Sequence, residues 1–187
     1  MNYKIIETER LILRKAKDTD LEYIWKNVWN NQSIADNMLW EVTKTIDDAK
    51  SRLERTINYQ KDNYAYFICL KDTDEPIGFI GIKEEDANIY EDTGICITPL
   101  HQKKGYGKEV IGAIKKLIFE KLNGEKFIYS CFSTNEKSRK LCLSQGFKYL
   151  KSVPKIREHD QFKYISDIYY FDKEMYKIEN GVNRWNM

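Results

Sequence analysis

An alternating apolar segment, residues 89–98, is closed by Pro99 and followed by two glycines one residue apart, Gly105 and Gly107, and then by a helical stripe. No other succession in the chain restricts the fold as much. Proline has no N–H to give a ladder, so it ends the strand. The paired glycines let the backbone curl tightly and approach a ligand without Cβ obstruction. Beyond them Ile111, Ile114, Ile118 and Leu122 recur along one helical face, and Asn123-Gly124 offers a stop. Such a strand–turn–helix unit sets the free N–H groups of a first helical turn, and the positive dipole end, beside a strand terminus. That is a seat for a phosphate or pyrophosphate. Lys103, Lys104 and Lys108 add charge. A plain tight turn explains the glycines equally well. Two phosphate motifs are excluded. Gly107-Lys108 is followed by Glu109 and lacks the leading glycine of a Walker A loop, and Val110 stands where a dinucleotide fingerprint needs its third glycine.

The rest of the pattern surrounds this unit with strands and helices. Residues 5–14 alternate as a strand or strand pair. Asp18-Thr19-Asp20 offers a cap to a helix bearing Leu21, Ile24, Trp25 and Val28, and a second helix is predicted over 45–59 with Ile46, Ala49, Leu53 and Ile57 inward. Three meandering strands are predicted over 64–70, 77–82 and 89–98, with turns at 71–76 and 84–88. After the glycine-led helix come a buried strand over 127–132 and a helix to about residue 145, opened by the Ser133–Glu136 capping-box pattern. Next are a strand over 146–153, a polar loop, and a last strand over 164–176. This is an α+β (mixed α/β) layout, a mixed sheet with helices packed on it. No composition break divides the chain, so one domain is expected over residues 1–176, with a polar tail at 177–187 in which Trp185 could dock.

Composition narrows the function classes. At 187 residues, 42% hydrophobic and 13% aromatic, the chain can bury a core. Thirty-one basic residues against 29 acidic ones, interspersed, leave a net charge of +2. Neither a nucleic-acid face nor a polybasic membrane anchor is expected. No secretory pattern and no membrane-length apolar run is read, so a cytoplasmic protein is expected. Cys69, Cys96, Cys131 and Cys142 are widely spaced and read as core thiols in a reducing compartment; with only His101 and His159 in support, no metal is expected.

Several segments together resemble one family. Gln102, Gly105 and Gly107 after Ile97-Thr98-Pro99 resemble the acetyl-CoA signature Q-x-x-G-x-G of the GCN5-related N-acetyltransferase (GNAT) superfamily. Residues 8–14, the strand at Asp92-Thr93-Gly94-Ile95-Cys96-Ile97, and Asn135, Ser138 and Gly146-Phe147 are similar, in order, to the branch that acetylates ribosomal-protein N-termini on alanine. The resemblance spans most of the chain. It implies a central twisted mixed sheet of about seven strands with helices on both faces. It also implies that the strand before the phosphate loop parts from the strand after its helix, with the pantetheine arm in the gap. Cys96, Ile97 and Thr98 would then follow the arm through main-chain atoms. Gln102, Lys103, Lys104, Gly105, Tyr106, Gly107 and Lys108 would surround the pyrophosphate, and Asn135 would face the cofactor.

The implied activity is transfer of acetyl from acetyl-CoA directly onto a primary amine, a protein N-terminus or a small molecule. The rival expectation is an acyl-CoA-sensing module without turnover. Two departures bear on this choice. Cys142 stands where many relatives carry a tyrosine acid, which leaves Ser138 as the donor to the sulfur. Asp92 replaces the usual glutamate base and would work through a water, unless it is merely a surface carboxylate or Glu91 takes the role. Trp40 and Glu41, outside the helical pattern, are the expected acceptor wall; Trp25 reads as core. A homodimer is compatible with the general habit of such proteins.

Overall fold

The computed structural model describes residues 3–181. The elements run β1 (Ile5–Glu7), β2 (Leu11–Arg14), α1 (Leu21–Ile24), α2 (Gln32–Ala35), α3 (Ile46–Asp62), β3 (Tyr64–Leu70), β4 (Pro76–Asp86), β5 (Ile89–Ile97), α4 (Tyr106–Lys116), β6 (Lys126–Phe132), α5 (Glu136–Ser144), β7 (Lys148–Arg157), β8 (Phe162–Asp172) and α6 (Lys173–Glu179). Wider π-type turns, Trp25–Trp29 and Leu117–Lys121, extend α1 and α4. One sheet holds all eight strands in the order β1-β2-β3-β4-β5-β6-β8-β7. Every neighbouring pair is antiparallel except β5 and β6, which are parallel and joined through α4, as a parallel pair requires a crossover.

Two apolar layers cover the sheet, and alternation along β3 shows which residues serve each. Tyr66 and Ile68 join a cluster with Val110, Ile111, Ile114, Phe127 and Phe147, beneath α4 and α5. Phe67 and Cys69 join the other cluster with Ile24, Val28, Trp29, Ala49 and Leu53, beneath α1 to α3. Successive strand side chains point to opposite faces, so the helices lie on both sides of the sheet. All four cysteines are free and buried.

The structure corrects several sequence expectations. Residues 5–14 form a strand pair, which brings the sheet to eight strands rather than about seven. The 84–88 turn is tighter, because β4 runs on to Asp86 and turns at Ala87 and Asn88, the latter at φ 63°. Helix α5 is capped by Asn135, whose side chain accepts from Ser138 N–H at 3.1 Å; Ser133 instead donates its N–H to Ile165 O. No loop follows Val153: β7 continues to Arg157 and pairs with β8 throughout. The last strand stops at Asp172, which caps α6 by accepting from Met175 N–H at 2.9 Å. Residues 177–179 are therefore helix rather than tail. Tyr176 stacks on Phe119 at 4.9 Å, and Glu179 pairs with the buried Lys115 at 2.8 Å. Trp185 lies outside the described residues.

Candidate active site

The parallel pair is where the sheet opens. β5 and β6 are in register only over Ile89–Glu91 and Lys126–Ile128, after which β6 continues pairing with β8 while β5 stays with β4. The strands part at Asp92. A bulge there, between Gly81/Ile82 and Gly94/Asp92, changes which residues of β5 face each layer. Gly94 sits in it at φ 116°, a conformation side-chain-bearing residues avoid. Beyond the bulge Thr98 donates its N–H to Ile77 O at 2.8 Å on the β4 side. By alternation Ile95 and Ile97 turn their backbone groups toward the gap. Ile97 O is taken by Gln102 Nε2 at 2.8 Å, leaving the N–H groups of Ile95 and Ile97 facing the opening.

Asp92 closes the inner end of the gap. It is only 8% exposed, so the surface-carboxylate reading is wrong for it. Its Oδ1 accepts from Ser130 N–H at 2.7 Å and its Oδ2 from Gly94 N–H at 3.2 Å. Burial pushes its carboxyl up to about 7, while these two bonds pull the other way. The preceding residue on β6, Tyr129, meets Ser138 of α5, hydroxyl to hydroxyl at 2.7 Å. Burial holds the Tyr129 phenol well above its ordinary range. Tyr129 is the residue that sequence reading missed: within the apolar run 127–132 it looks like any other core aromatic. Cys142 is fully buried one turn further along α5, and burial raises its thiol.

At the outer end of the gap, Gly105 caps α4 at φ 87°. The first backbone amide to bond back is Lys108 N–H, to Gly105 O at 3.1 Å, so the amides before it are free of the helix. Lys103 is itself left-handed at φ 62°, and Lys103, Lys104 and Lys108 are exposed. Residues of the turn between β1 and β2 hold this loop in place. Arg10 donates Nη1 to Lys104 O at 3.0 Å and Nε to Glu109 Oε2 at 2.8 Å, and it lies 4.6 Å over the Tyr106 ring. Thr8 Oγ1 also donates to Glu109 at 2.6 Å. Burial works against it, yet these bonds keep the Glu109 carboxyl below its usual range. Gly107 packs close to α5, since a Cβ there would lie 3.1 Å from Leu141. Gln102 accepts from Lys137 Nζ at 3.1 Å and so ties the end of β5 to α5.

A cleft of about 1120 Å³ runs from the α3 face through the parted strands. Asp92, Tyr129, Asn135 and Ser138 line it at one end, and Trp29, Trp40, Glu41 and Arg52 at the other; Gln102 to Lys108 lie outside it. Trp25 is half-buried and donates Nε1 to Thr43 O at 2.8 Å, which fixes the loop carrying Trp40 and Glu41. The Trp40 Nε1 is buried with no partner among the described residues. Arg157 at the end of β7 donates to Met38 O at 3.2 Å and braces the same loop. Among the described residues no cluster of His, Cys, Asp and Glu is placed to hold a metal. No helix among them is long and apolar enough to cross a membrane.

Among the described residues the sheet parts at its one parallel pair, with the N-terminus of α4 at the mouth and a buried carboxyl inside. Residues 10–148 match the family model for the acetyltransferase (GNAT) domain. The chain is 31% identical over 153 residues to YoaA of Bacillus subtilis, an uncharacterized N-acetyltransferase, covering 78% of this chain and 84% of that one. Its fold is shared with a ribosomal-protein-S5-alanine acetyltransferase from Vibrio fischeri (TM-score 0.70, 18% identity, 91% of this chain and 97% of that one). It is also shared with the microcin C7 self-immunity acetyltransferase MccE, solved with acetyl-CoA and AMP (TM-score 0.76, 19% identity, 88% and 93%). The chain belongs to the GNAT acetyltransferase family and is an acetyl-CoA-dependent acetyltransferase.

Proposed function

We propose that this enzyme transfers acetyl directly from acetyl-CoA to a primary amine, a protein N-terminus or a small molecule, without an acyl-enzyme. The observation that carries the reading is the buried carboxyl of Asp92 at the point where β5 and β6 part, with the Tyr129–Ser138 pair on the adjoining strand and helix. When bound, acetyl-CoA supplies the activated thioester. The donor seat is the α4 N-terminus, where the amides of Gly105, Tyr106 and Gly107 face a pyrophosphate and Lys103, Lys104 and Lys108 add charge. The backbone of Cys96, Ile97 and Thr98 forms the strand along which an extended amide-bearing arm lies, as an added strand would. Asn135, with its Oδ1 occupied by the helix cap, has its amide nitrogen to offer the arm.

Asp92 then serves as base. An α-amino group has a pKa near ~8 and must shed a proton to attack, and a carboxyl near 7 in a buried site is matched to that task. The side chain is short and anchored by two backbone donors, so the proton passes through a water. Ile95 and Ile97 N–H are the donors for the developing oxyanion. Ser138 protonates or hydrogen-bonds the departing sulfur, and Tyr129 replenishes it. A cysteine nucleophile does not fit. Burial pushes Cys96 up to about 12 and Cys131 up to about 11, away from the reactive thiolate. The free thiols accord with a cytoplasmic, reducing setting. One domain on one sheet carries the whole site.

Calorimetric titration with acetyl-CoA, followed by free-thiol release with N-terminal peptides and small primary amines, tests the reading. Binding with amine-dependent thiol release is expected. Binding without release on any amine would make this chain a sensor, and absence of binding would remove the reading altogether.

A further inference from the structure

Helix α3 turns two guanidinium groups into the cleft one helical turn apart, Arg52 and Arg55. Neither has a carboxylate partner among the described residues. Arg52 is wedged between indoles, its Cζ 4.3 Å from the Trp40 ring and 4.7 Å from the Trp29 ring. Its Nη1 donates to Thr43 Oγ1 at 2.8 Å, and its remaining donors make no hydrogen bond to the described residues. Burial lowers it to about 10, so it stays charged at neutral pH while lacking compensation, and Arg55 adds like-charge repulsion. Arg14 and Lys115, in comparable burial, are neutralised by carboxylates, Arg14 by Asp20 and Asp74 and Lys115 by Glu179, and Lys15 gives its ammonium to the carbonyls of Asn63 and Ala65. A desolvated cation without an internal counter-charge is a costly arrangement that an external anion relieves.

Resting on the acetyl-transfer reading, we infer that the acceptor is a small amphoteric amine, whose carboxylate or phosphate group is held by the open fork of Arg52, assisted by Arg55, while its amine reaches Asp92 through the parted sheet. Arg52 from α3 and Asp92 from β5 both line this cleft. The two groups belong to different elements, so the probes carry a methylene spacer between amine and anion. The indoles flanking Arg52 fix the plane of the fork and exclude water, which favours bidentate recognition of a planar carboxylate or a phosphate.

The test measures thiol release from acetyl-CoA with matched probes: 4-aminobutanoate and 6-aminohexanoate against butylamine and hexylamine, and O-phosphoethanolamine against ethanolamine. The carboxylate and phosphate arms identify which anion is preferred. For at least one pair the anionic member is expected to show a kcat/KM roughly 10- to 100-fold higher, the range of a charge-assisted bond. Arg52→Gln is expected to abolish that ratio by raising KM for the anionic probe, with KM for acetyl-CoA unchanged. Arg52→Lys, which keeps the charge and the stem between the indoles but loses the fork, is expected to retain part of it. If Arg52→Gln unfolds, Arg52→Lys and Arg55→Gln decide. Equal kcat/KM within every pair, a preference that survives the Arg52 variants, or no release with any of the six probes while acetyl-CoA binds would each overturn the inference. Failure to bind acetyl-CoA would instead count against the acetyl-transfer reading itself.

Discussion

Around α4 and α5, charged and polar side chains answer one another within the chain: Arg10 with Glu109, Lys115 with Glu179, Gln102 with Lys137. Across the sheet, α3 presents Arg52 and Arg55 to the cleft with no acidic partner among the described residues. On the first face these side chains are occupied within the chain, and backbone amides and the exposed Lys103, Lys104 and Lys108 are left over for a ligand. Such a seat suits a ligand that never varies. On the second face the side chains themselves are left over, and their identity selects what enters. A common donor and a particular acceptor call for these two kinds of surface.

The largest expected effect lies where the two faces meet. Asp92→Asn should lower kcat by about 10²- to 10⁴-fold, the range of general-base catalysis, with calorimetric affinity for acetyl-CoA unchanged. The wild-type kcat/KM should fall as pH drops below about 7, because the buried carboxyl then keeps its proton, and this inflection should vanish in Asp92→Asn. The same residue shapes stability. Its folded pKa lies above the ordinary ~3.9, so between pH ~4 and 7 the folded chain holds a proton that the unfolded chain has released. Its contribution therefore declines as pH rises through that window. Denaturant titrations at pH 5 and pH 8 should show a smaller decline for Asp92→Asn than for wild type, and an equal decline would remove the burial argument.

A smaller effect is expected on the donor side of the chemistry. Tyr129→Phe and Ser138→Ala should each reduce kcat by about 10- to 100-fold and act non-additively, because the two hydroxyls form one pair. Additive losses in the double variant would mean that they work separately. Gly105→Ala forces a Cβ into φ 87° at 3.3 Å from Arg10 Nη2. It should weaken acetyl-CoA binding by about 10-fold and destabilise the chain by roughly 1–2 kcal/mol, with acceptor KM unchanged. Glu109→Gln loosens the clamp without touching the backbone. A two- to fivefold weaker acetyl-CoA affinity is expected, since Arg10 is largely solvated and exposed ion pairs contribute little. If Glu109→Gln moved acceptor KM instead, the division between the two faces would be wrong.

Much of the α4 side was legible from local pattern. Pro99 ends β5, Gly105 caps α4 in a left-handed conformation, and Ile111, Ile114 and Ile118 lie in the core, as their spacing implies. Backbone requirements of this kind are written in single residues, because only glycine or proline meets them cheaply. The capping pattern at residues 133–136 misled, because Asn135, two residues past Ser133, took the role. The polar sequence after Val153 read as loop, although β7 is an edge strand whose exposed residues need no apolar alternation. The α3 side of the cleft was far less legible. Trp40 and Glu41 were anticipated and line the cleft, but Arg52 looked like an ordinary exposed residue on an amphipathic helix.

The sequence by itself determined most of the strand and helix order, the glycine-led turn before α4 and the family, since these rest on short-range backbone chemistry and spacing. Only the tertiary structure decided that Asp92 is buried rather than a surface carboxylate, that Tyr129 reaches Ser138, and that Arg52 has an open fork between two indoles. Burial and pairing depend on groups distant along the chain, and no local pattern records which of them arrive.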